Sequence, residues 1–525
     1  MSRRAGPAAR SPTRSWPRSR SCPARSRPES TTTAPRTPDR GVRLSAAETR
    51  TTRPMRPGVS CGFWLPAAAT SNSRAGRPCR RTPVPSAISA VVGVDAARLN
   101  RRVPTHQIVV ADARLRHPPG GRDGRWQVGI DDGRITALAQ DPLTGTDEID
   151  AAGALVTESF VNGHMHLDKV HTLDRIGDAA LTAYTSGDMG SAMTSIELAS
   201  AVKAGYDRSW IEPNARTAVL EAVRYGVRHV LAFADVDPKA RLEGVIPLLA
   251  LREEFRGVVD LQVVAFPQDG LLRDPGAEEL VREAVELGAD VVGGIPWIEH
   301  TDADAREHVQ RMCALAATHD RRVAMLVDDA GDAGLRTTEM LAVAMIEHGL
   351  VGRGVANHAR AVGLYARPSL ERLAGLARRA GLGFVSDPHT GPLHLPVREL
   401  TAMGVPVALG QDDIEDAYYP FGRHNMGEIA FLAAHALEAV DSAGIDLVYD
   451  GVTTTAARVL GVIGHRLEVG GNADLVVHHH PTLREVVGHH AAPAYVLASG
   501  RLVASSSATT TFHLDNLDNL EGNQP

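Results

Sequence analysis

The chain contains only four cysteines in 525 residues, and three of them precede position 80. Cys313 stands alone in the remainder, which excludes a disulfide-stabilised scaffold and a cysteine zinc site and favours a reducing compartment. Long apolar runs are also missing, since the run at 323–327 is far shorter than the ~20 residues of a membrane-spanning helix. We therefore expect a cytoplasmic protein with no membrane span.

Lysine is absent from residues 1–100, which hold 19 arginines and four acidic residues. This segment therefore carries a net charge of +15, whereas residues 101–525 carry −21. This segment is rich in Arg, Pro and Ser and has no helical or strand periodicity, so it cannot bury enough apolar surface to fold. It predicts a disordered extension over 1–102, with a nucleic-acid arm or a transit peptide as alternatives. The acidic body argues against nucleic acid as the main partner.

Short alternating strands lie at both ends of the remaining chain. Residues 106–115 alternate, and 126–138 form a predicted hairpin with Asp132-Gly133 as its turn. Near the other end, 474–478 and 493–503 are again predicted strands. These segments predict one small β-sandwich domain built from both chain ends, over 103–158 and 466–505, followed by a flexible tail over 506–525.

Between these ends, apolar runs alternate with amphipathic segments at about 30-residue spacing. Continuous apolar strands that are followed by helices indicate a parallel sheet covered on both faces. The pattern predicts an α/β protein with a (β/α)8 TIM barrel over 159–465, and a doubly wound open sheet is the alternative. The predicted strands are 154–160, 227–233, 261–266, 290–295, 323–327, 354–357, 383–385 and 406–409.

Histidines and carboxylates follow several of these strands, where a barrel carries its chemistry. His164 and His166 end the first strand, and because alternate residues share a face, their imidazoles point the same way and form a metal-ligand pair. The last strand ends in Asp412-Asp413, and adjacent carboxylates there can serve a metal and a substrate separately. His358 follows the sixth strand and joins them on the same rim.

Five blocks resemble the amidohydrolase superfamily, and within it the bacterial cytosine deaminases and N-isopropylammelide isopropyl amidohydrolases. They are FVNGHMHLD (160–168), DLQVVAFPQDG (260–270), LGADVVGGIP (287–296), GQDDIEDAYYPFGRHN (410–425) and GGNADL (470–475). The resemblance spans roughly residues 105–505 and is specific for the family rather than for a substrate.

The resemblance implies a role for each matched position. His164, His166 and Asp412 would bind one divalent metal ion, zinc or iron. Gln268 would hold the carbonyl and ring-NH edge of a substrate. Independently of the resemblance, we expect Tyr418 and Tyr419 to cap the pocket, with ordinary loop packing as the alternative. His358 would orient or deprotonate the attacking water, while Asp413 would contact the substrate near the reacting carbon.

The fifth strand departs from the family pattern. Where the family has His-Cys-Asp-Glu, with a metal-binding His and a proton-donating Glu, this chain has Leu326-Val-Asp328-Asp329. Leu326 cannot coordinate a metal, and Asp329 is one methylene shorter than the family acid whose catalytic role it would take. The metal is therefore expected to be weakly held, unless His358 or Asp329 supplies a further ligand.

Other polar residues have simpler interpretations. Trp297 and His300 either line the pocket or pack in a loop, and Lys169 is expected to be an exposed lysine. The runs His478-His479-His480 and His489-His490 are expected to be solvated strand ends and not a second metal site.

Taken together, the sequence predicts a hydrolase of carbon–nitrogen bonds other than peptide bonds. It would act on a small nitrogen heterocycle or cyclic amide with metal-activated water, with no nucleic-acid or membrane partner, and a homo-oligomer is compatible with the sequence. A hydrolase of an N-substituted triazine or a similar ring is the first alternative. The second is a catalytically impaired homologue that binds a ligand or partner without turnover, because Leu326 replaces the metal-binding histidine of the fifth strand.

Overall fold

The structure is a computed structural model that describes residues 105–184 and 189–511. The predicted extension and all but the first six residues of the predicted tail lie outside these ranges. The strands are β1 (His106–Leu115), β2 (Trp126–Asp131), β3 (Arg134–Ala139), β4 (Gly145–Asp150), β5 (Leu155–Glu158), β6 (Phe160–His166), β7 (Val227–Asp235), β8 (Asp260–Phe266), β9 (Val291–Gly294), β10 (Arg322–Val327), β11 (Gly354–His358), β12 (Gly383–Ser386), β13 (Val407–Leu409), β14 (Leu475–Val477), β15 (Tyr495–Ala498) and β16 (Arg501–Ser505).

Most of the α-helices cover the barrel. They are α1 (Leu173–Ile176), α2 (Asp178–Tyr184), α3 (Met189–Lys203), α4 (Arg208–Arg224), α5 (Val245–Glu254), α6 (Ala277–Glu286), α7 (Asp302–Thr318), α8 (Thr337–Glu347), α9 (Arg367–Ala380), α10 (Val397–Ala402), α11 (Met426–Ala436), α12 (Ser442–Gly451), α13 (Thr454–Leu460) and α14 (Leu483–His489). Helix α9 is typical, since it buries Leu370, Leu373 and Ala377 on one face and ends at Gly381 in a left-handed conformation. No helix in the described part of the chain is long and apolar enough to cross a bilayer.

Strands β6 to β13 pair in chain order, all parallel, and form a TIM barrel. A bridge between Met165 and Asp412 joins the first strand to the end of the last, which excludes the open-sheet alternative. Strand β7 shows why the strand segments are continuously apolar. Its Leu231 and Phe233 pack inside the barrel, whereas Val230 and Ala232 pack against the helices.

The first barrel strand differs from the predicted run at 154–160. Most of that run forms β5, which pairs with β1 and β14 in the small domain, and the barrel strand begins at Phe160. Both segments are apolar and buried, so hydrophobicity alone could not separate them. The other seven predicted runs correspond to β7 through β13 within one to two residues.

Both chain ends contribute to the small β domain. Strand β1 pairs with β2 and β4 along its first part and with β5 at its end, where a bulge after Val110 shifts the register. Strands β14, β15 and β16 continue from β5 as an antiparallel set. The two halves share an apolar core that includes Val128, Val156, Leu475 and Leu497.

The barrel closes at a glycine. The amide of His166 donates to the carbonyl of Asp412, and the amide of Asp412 donates to the carbonyl of His164, both at 2.9 Å. Gly410 lies beside this contact, and a Cβ atom there would stand 2.8 Å from Cβ of His164 and 3.1 Å from a methyl of Val385. The close approach of the two strands therefore requires glycine.

We expect Gly410→Ala to lower the free energy of unfolding by about 1–3 kcal/mol, because the added methyl group overpacks the junction. The matched control is Gly375→Ala in α9, where a Cβ meets no atom within 4 Å and should stabilise the helix by up to ~1 kcal/mol. Thermal and denaturant unfolding measure both changes. A Gly410→Ala protein as stable as the wild type would contradict the close approach.

Candidate active site

Three predicted metal ligands converge where the barrel closes. Nε2 of His164 lies 3.3 Å from Nε2 of His166 and 3.2 Å from Oδ1 of Asp412. Nε2 of His166 lies 3.9 Å from the same carboxylate oxygen. All three side chains are buried, and their ligand atoms lie within 4.8 Å of one another. The sequence prediction that these side chains share one point is thus matched by the geometry.

Hydrogen bonds orient the first imidazole. Nδ1 of His164 lies 3.0 Å from Oδ1 of Asn357, whose own amide donates to the carbonyl of Met325. Because Asn357 Oδ1 can only accept, Nδ1 of His164 carries the proton and Nε2 presents a lone pair to the cluster. Burial, together with Lys169 and the other histidines, holds the pKa of His166 well below its usual range, so this ring is also neutral.

His358 faces the same cluster from β11. Its Nδ1 lies 2.8 Å from Oδ1 of Asp387, and its Nε2 lies 3.9 Å from Oδ1 of Asp412. Burial alone would lower the pKa of His358, but Asp387, Asp329 and Asp412 raise it to about 9. Nε2 of His358 therefore stands beside the three predicted ligands, next to the position where the family histidine is replaced.

That position is filled by an apolar side chain. Leu326 is buried at the end of β10, pairs with Asn357 in register, and lines the pocket with His166 and His358. It offers no ligand atom, as the sequence predicts.

Asp329 is held away from a ligand role by an arginine. Its Oδ1 lies 3.0 Å from Nη1 of Arg360, and Nη2 of Arg360 also donates to Asp387 and Thr390 at 2.7 Å. Burial raises the pKa of Asp329, while Arg360 opposes that shift. Of the two replacements considered for the missing histidine, His358 is the better placed.

Three strand-end residues of the site have a left-handed backbone. Asp328, His358 and Asp412 have φ values of 47°, 63° and 67°. Asp and His tolerate this region better than most residues, and such conformations concentrate at functional sites. At each of these three residues the backbone leaves the extended strand conformation, so the chain changes direction at the barrel mouth.

Asp413 lines the pocket beside the ligands. Burial, together with Asp412 and Asp416, raises its pKa well above the usual range. A hydrogen bond links the Asp413 and Asp416 carboxyls, and burial raises the pKa of Asp416 to about 6. Because Oδ1 of Asp413 has no hydrogen-bond partner in the part of the chain that the structure describes, a protonated Asp413 can face a substrate.

The cluster opens into a pocket at the mouth of the barrel. Apolar side chains dominate its wall, including Ile295, Trp297, Leu326 and Leu393, and its polar members include Gln268, Asp329, Arg360 and Tyr418. The indole Nε1 of Trp297 is buried without a partner. His300 is exposed and does not line this cavity, and Tyr419 packs against His389 instead.

A buried charge network lies behind Gln268. Nζ of Lys169 donates to both oxygens of Asp235 and, at 3.0 Å, to Oε1 of Gln268. Nζ of Lys203 donates to Asp237 and Asp269, both at 2.6 Å. The expectation that Lys169 is exposed was wrong, because the side chain pairs with Asp235 at the end of β7 and is only 8% exposed.

The histidine runs of the small domain differ among themselves. His479 and His489 are exposed as expected, and the His480 and His489 rings stack 4.1 Å apart. His478 is buried, against expectation, because Nε2 bonds Thr157 and Tyr449 between the small domain and the barrel.

Sequence reasoning missed three residues of the site: Asn357, Arg360 and Asp387. Asp387 directly follows β12, so the rule that strand ends carry chemistry could have found it. Asn357 directly precedes His358, and Arg360 lies two positions after it. No spacing rule identifies the residues with which these two side chains form hydrogen bonds.

Comparisons with known proteins agree with this arrangement. The profile of the amidohydrolase family matches residues 211–504. The chain is 30% identical over 394 residues to the N-isopropylammelide isopropyl amidohydrolase of Pseudomonas sp. strain ADP, covering 73% of this chain and 94% of that relative. The chain belongs to the amidohydrolase family.

Two further relatives of this amidohydrolase are deaminases. Pterin deaminase of Rhizobium rhizogenes is 25% identical over 68% of this chain and 82% of its own length. The crystal structure of Klebsiella pneumoniae 5-methylcytosine deaminase with 5-fluorocytosine is 28% identical, covers 77% of this chain and 99% of that one, and has a TM-score of 0.69. The prediction of a hydrolase of carbon–nitrogen bonds is confirmed, and nothing in these comparisons supports the alternative of a homologue without turnover.

The buried network of the amidohydrolase should be sensitive to loss of its cation. We expect Lys203→Met to lower the free energy of unfolding by about 3–5 kcal/mol, because it leaves buried carboxylates without their partner. Lys239→Met is the control, since that side chain is 51% exposed although it also contacts Asp269. Equal losses for the two variants in denaturant unfolding would contradict the assignment.

The same variant has a pH signature. Against the effect of burial, Lys203 and its neighbours lower the pKa of Asp269 to about 2. A depressed carboxyl pKa contributes stability above the ordinary value near 4, and this contribution disappears as the pH falls toward 2. Between these values, the stability of Lys203→Met should fall less steeply than that of the wild type.

Proposed function

We propose that this amidohydrolase removes an amino or alkylamino group from a small nitrogen heterocycle, using water activated by one divalent metal ion. The observation that carries the proposal is the convergence of His164, His166 and Asp412 at the inner end of a largely apolar pocket. The relatives named for N-isopropylammelide, pterin and 5-methylcytosine support a ring of this class.

The donor set suits a metal ion. Two buried imidazoles and a carboxylate face one another, and the hydrogen bond from His164 to Asn357 leaves a lone pair directed at the cluster. Two histidines and a carboxylate are a common ligand set for a catalytic zinc, and imidazole also suits iron. When bound, such an ion supplies a nucleophilic water at neutral pH, since it lowers the pKa of that water to about 7.

Gln268 holds the ring edge in this proposal. Lys169 donates to its Oε1, so the orientation of the amide is fixed, and the amide N–H groups remain for a carbonyl or ring nitrogen of the substrate. Because Lys169 is itself held by Asp235, the charge network behind the pocket positions this side chain. Tyr418 and Trp297 close the pocket around the ring.

His358, Asp413 and Asp329 move the protons. Nδ1 of His358 is committed to Asp387, so the ring exchanges protons with water or substrate at Nε2. Asp413, with its raised pKa, holds a proton that it can deliver to the departing nitrogen. Asp329 also has a raised pKa and faces the cavity, where it can protonate a ring nitrogen.

The free cysteine Cys313 is buried in α7, and burial raises the pKa of its thiol to about 12. The thiol is thus held un-ionised and unreactive. We propose a cytoplasmic location, because a free, reduced cysteine is typical of a protein in a reducing compartment.

The test is release of ammonia or amine from a panel of cytosine, pterin and N-alkylated aminotriazines, with metal content measured on the same preparation. We expect turnover of at least one ring by wild-type protein that contains about one ion at this site. His164→Ala/His166→Ala should lose both this ion and the activity while retaining its fold. His300→Ala is the control, since the side chain is exposed and outside the cavity, and should keep both. Full activity in the double variant, or no turnover of any ring by metal-loaded wild type, would overturn the proposal.

Leu326→His tests the departure from the family. An imidazole at this position adds a nitrogen ligand beside His166 and His358, so we expect tighter metal binding in competition with a chelating dye. Leu326→Phe is the control for changed size, and it should not tighten binding. Unchanged or weaker affinity for Leu326→His would mean that His358 already completes the ligand set.

A further inference from the structure

We propose that the chain has a second cation site, formed by His229, His465 and Asp474, which takes a divalent transition-metal ion such as Zn²⁺ and joins the barrel to the small β domain. A ligand atom from each of these residues lies within 4.8 Å of one from each of the others. This cluster is at the amino-terminal end of the barrel strands, whereas the active-site ligands follow their carboxyl ends.

Three separate segments bring the cluster together. His229 is the third residue of β7, Asp474 immediately precedes β14, and His465 follows α13. The His229 and His465 rings stand 5.4 Å apart, nearly perpendicular at 81°. Nε2 of His229 lies 3.9 Å from Oδ2 of Asp474. Each of the three residues is at most 4% exposed.

Hydrogen bonds to the outer nitrogens fix both tautomers. Nε2 of His465 lies 2.8 Å from the carbonyl of Ser159, which can only accept, so Nε2 carries the proton. Nδ1 of His229 lies 3.1 Å from Oδ2 of Asp260 and donates in the same way. The remaining nitrogens, Nδ1 of His465 and Nε2 of His229, are buried and have no hydrogen-bond partner among residues 105–184 and 189–511.

The two imidazole nitrogens of the cluster are therefore acceptors that no donor in the described part of the chain satisfies. Two imidazole lone pairs and a carboxylate are brought together away from water, although an unpaired buried polar atom costs about 1–3 kcal/mol. A divalent cation satisfies all three acceptors at once.

The hydrogen bonds around the cluster resemble those that orient metal-binding histidines. Asp260 and the Ser159 carbonyl hold the outer nitrogens, as carboxylates and carbonyls do for metal-binding histidines. Oδ1 of Asp474 accepts from Nε of Arg228 and from the Ser499 amide, which leaves Oδ2 toward His229. A His2Asp set with one water matches tetrahedral zinc coordination.

The test counts zinc ions bound to the full chain after chelation and Zn²⁺ titration, with the melting temperature as a second readout. In the His164→Ala/His166→Ala background we expect one tightly bound Zn²⁺ per chain and a rise in melting temperature on adding Zn²⁺. His229→Phe in that background should bind none and show no rise. Asp474→Asn, which keeps the size of the side chain, should weaken binding at least tenfold.

His489→Gln is the control for adventitious surface binding, because His480 and His489 form a stacked, accessible pair. It should retain the bound ion and the thermal shift. Loss of the ion in His489→Gln, retention of it in His229→Phe, or binding only at millimolar Zn²⁺ would each overturn the proposal. Because the active-site ligands are absent from this background, failure here leaves the proposed function intact.

Discussion

Two backbone hydrogen bonds, between His164 and Asp412 and between His166 and Asp412, determine most of what this chain can do. They close the barrel, and they also hold two imidazoles and a carboxylate at one point. A one-residue shift in the pairing would turn alternate side chains to the opposite face and disperse the cluster. The closure of the fold and the construction of the site are therefore a single constraint, and Gly410 is the residue whose missing side chain permits it.

The site also requires the fold to bury several charged side chains. Lys169 and Lys203 are almost fully enclosed, and their ammonium groups are stable there only because Asp235, Asp237 and Asp269 surround them. Arg360 has the same relation to Asp329 and Asp387 on the other side of the pocket. The apolar cavity is thus bordered by two ionic walls, which fix Gln268 and Asp329 respectively. Ordered polar groups of this kind can orient a flat, polar ring that an apolar pocket alone would bind in several ways.

Much of the fold could be predicted from the sequence because the barrel strands are short apolar runs with regular spacing. The error at 154–160 arose because a buried strand of the small domain and a buried barrel strand have the same composition. His164, His166 and Asp412 could be found because they stand at the ends of predicted strands, and the local sequence is sufficient to locate those ends. Lys169, His478 and Arg360 could not be assigned, since their burial depends on Asp235, Tyr449 and Asp387, which are distant in the chain.

The junction between β5 and β6 has a mechanical consequence. Only Ser159 separates β5 of the small domain from β6, the first barrel strand, and its amide donates to the carbonyl of Asp474 at 2.9 Å. A hinge needs a few residues whose dihedral angles can change freely, and one buried, hydrogen-bonded residue cannot provide it. The small domain therefore cannot swing as a lid over the barrel. The elements that remain able to admit a substrate are the loops at the opposite rim, which carry the pocket lining.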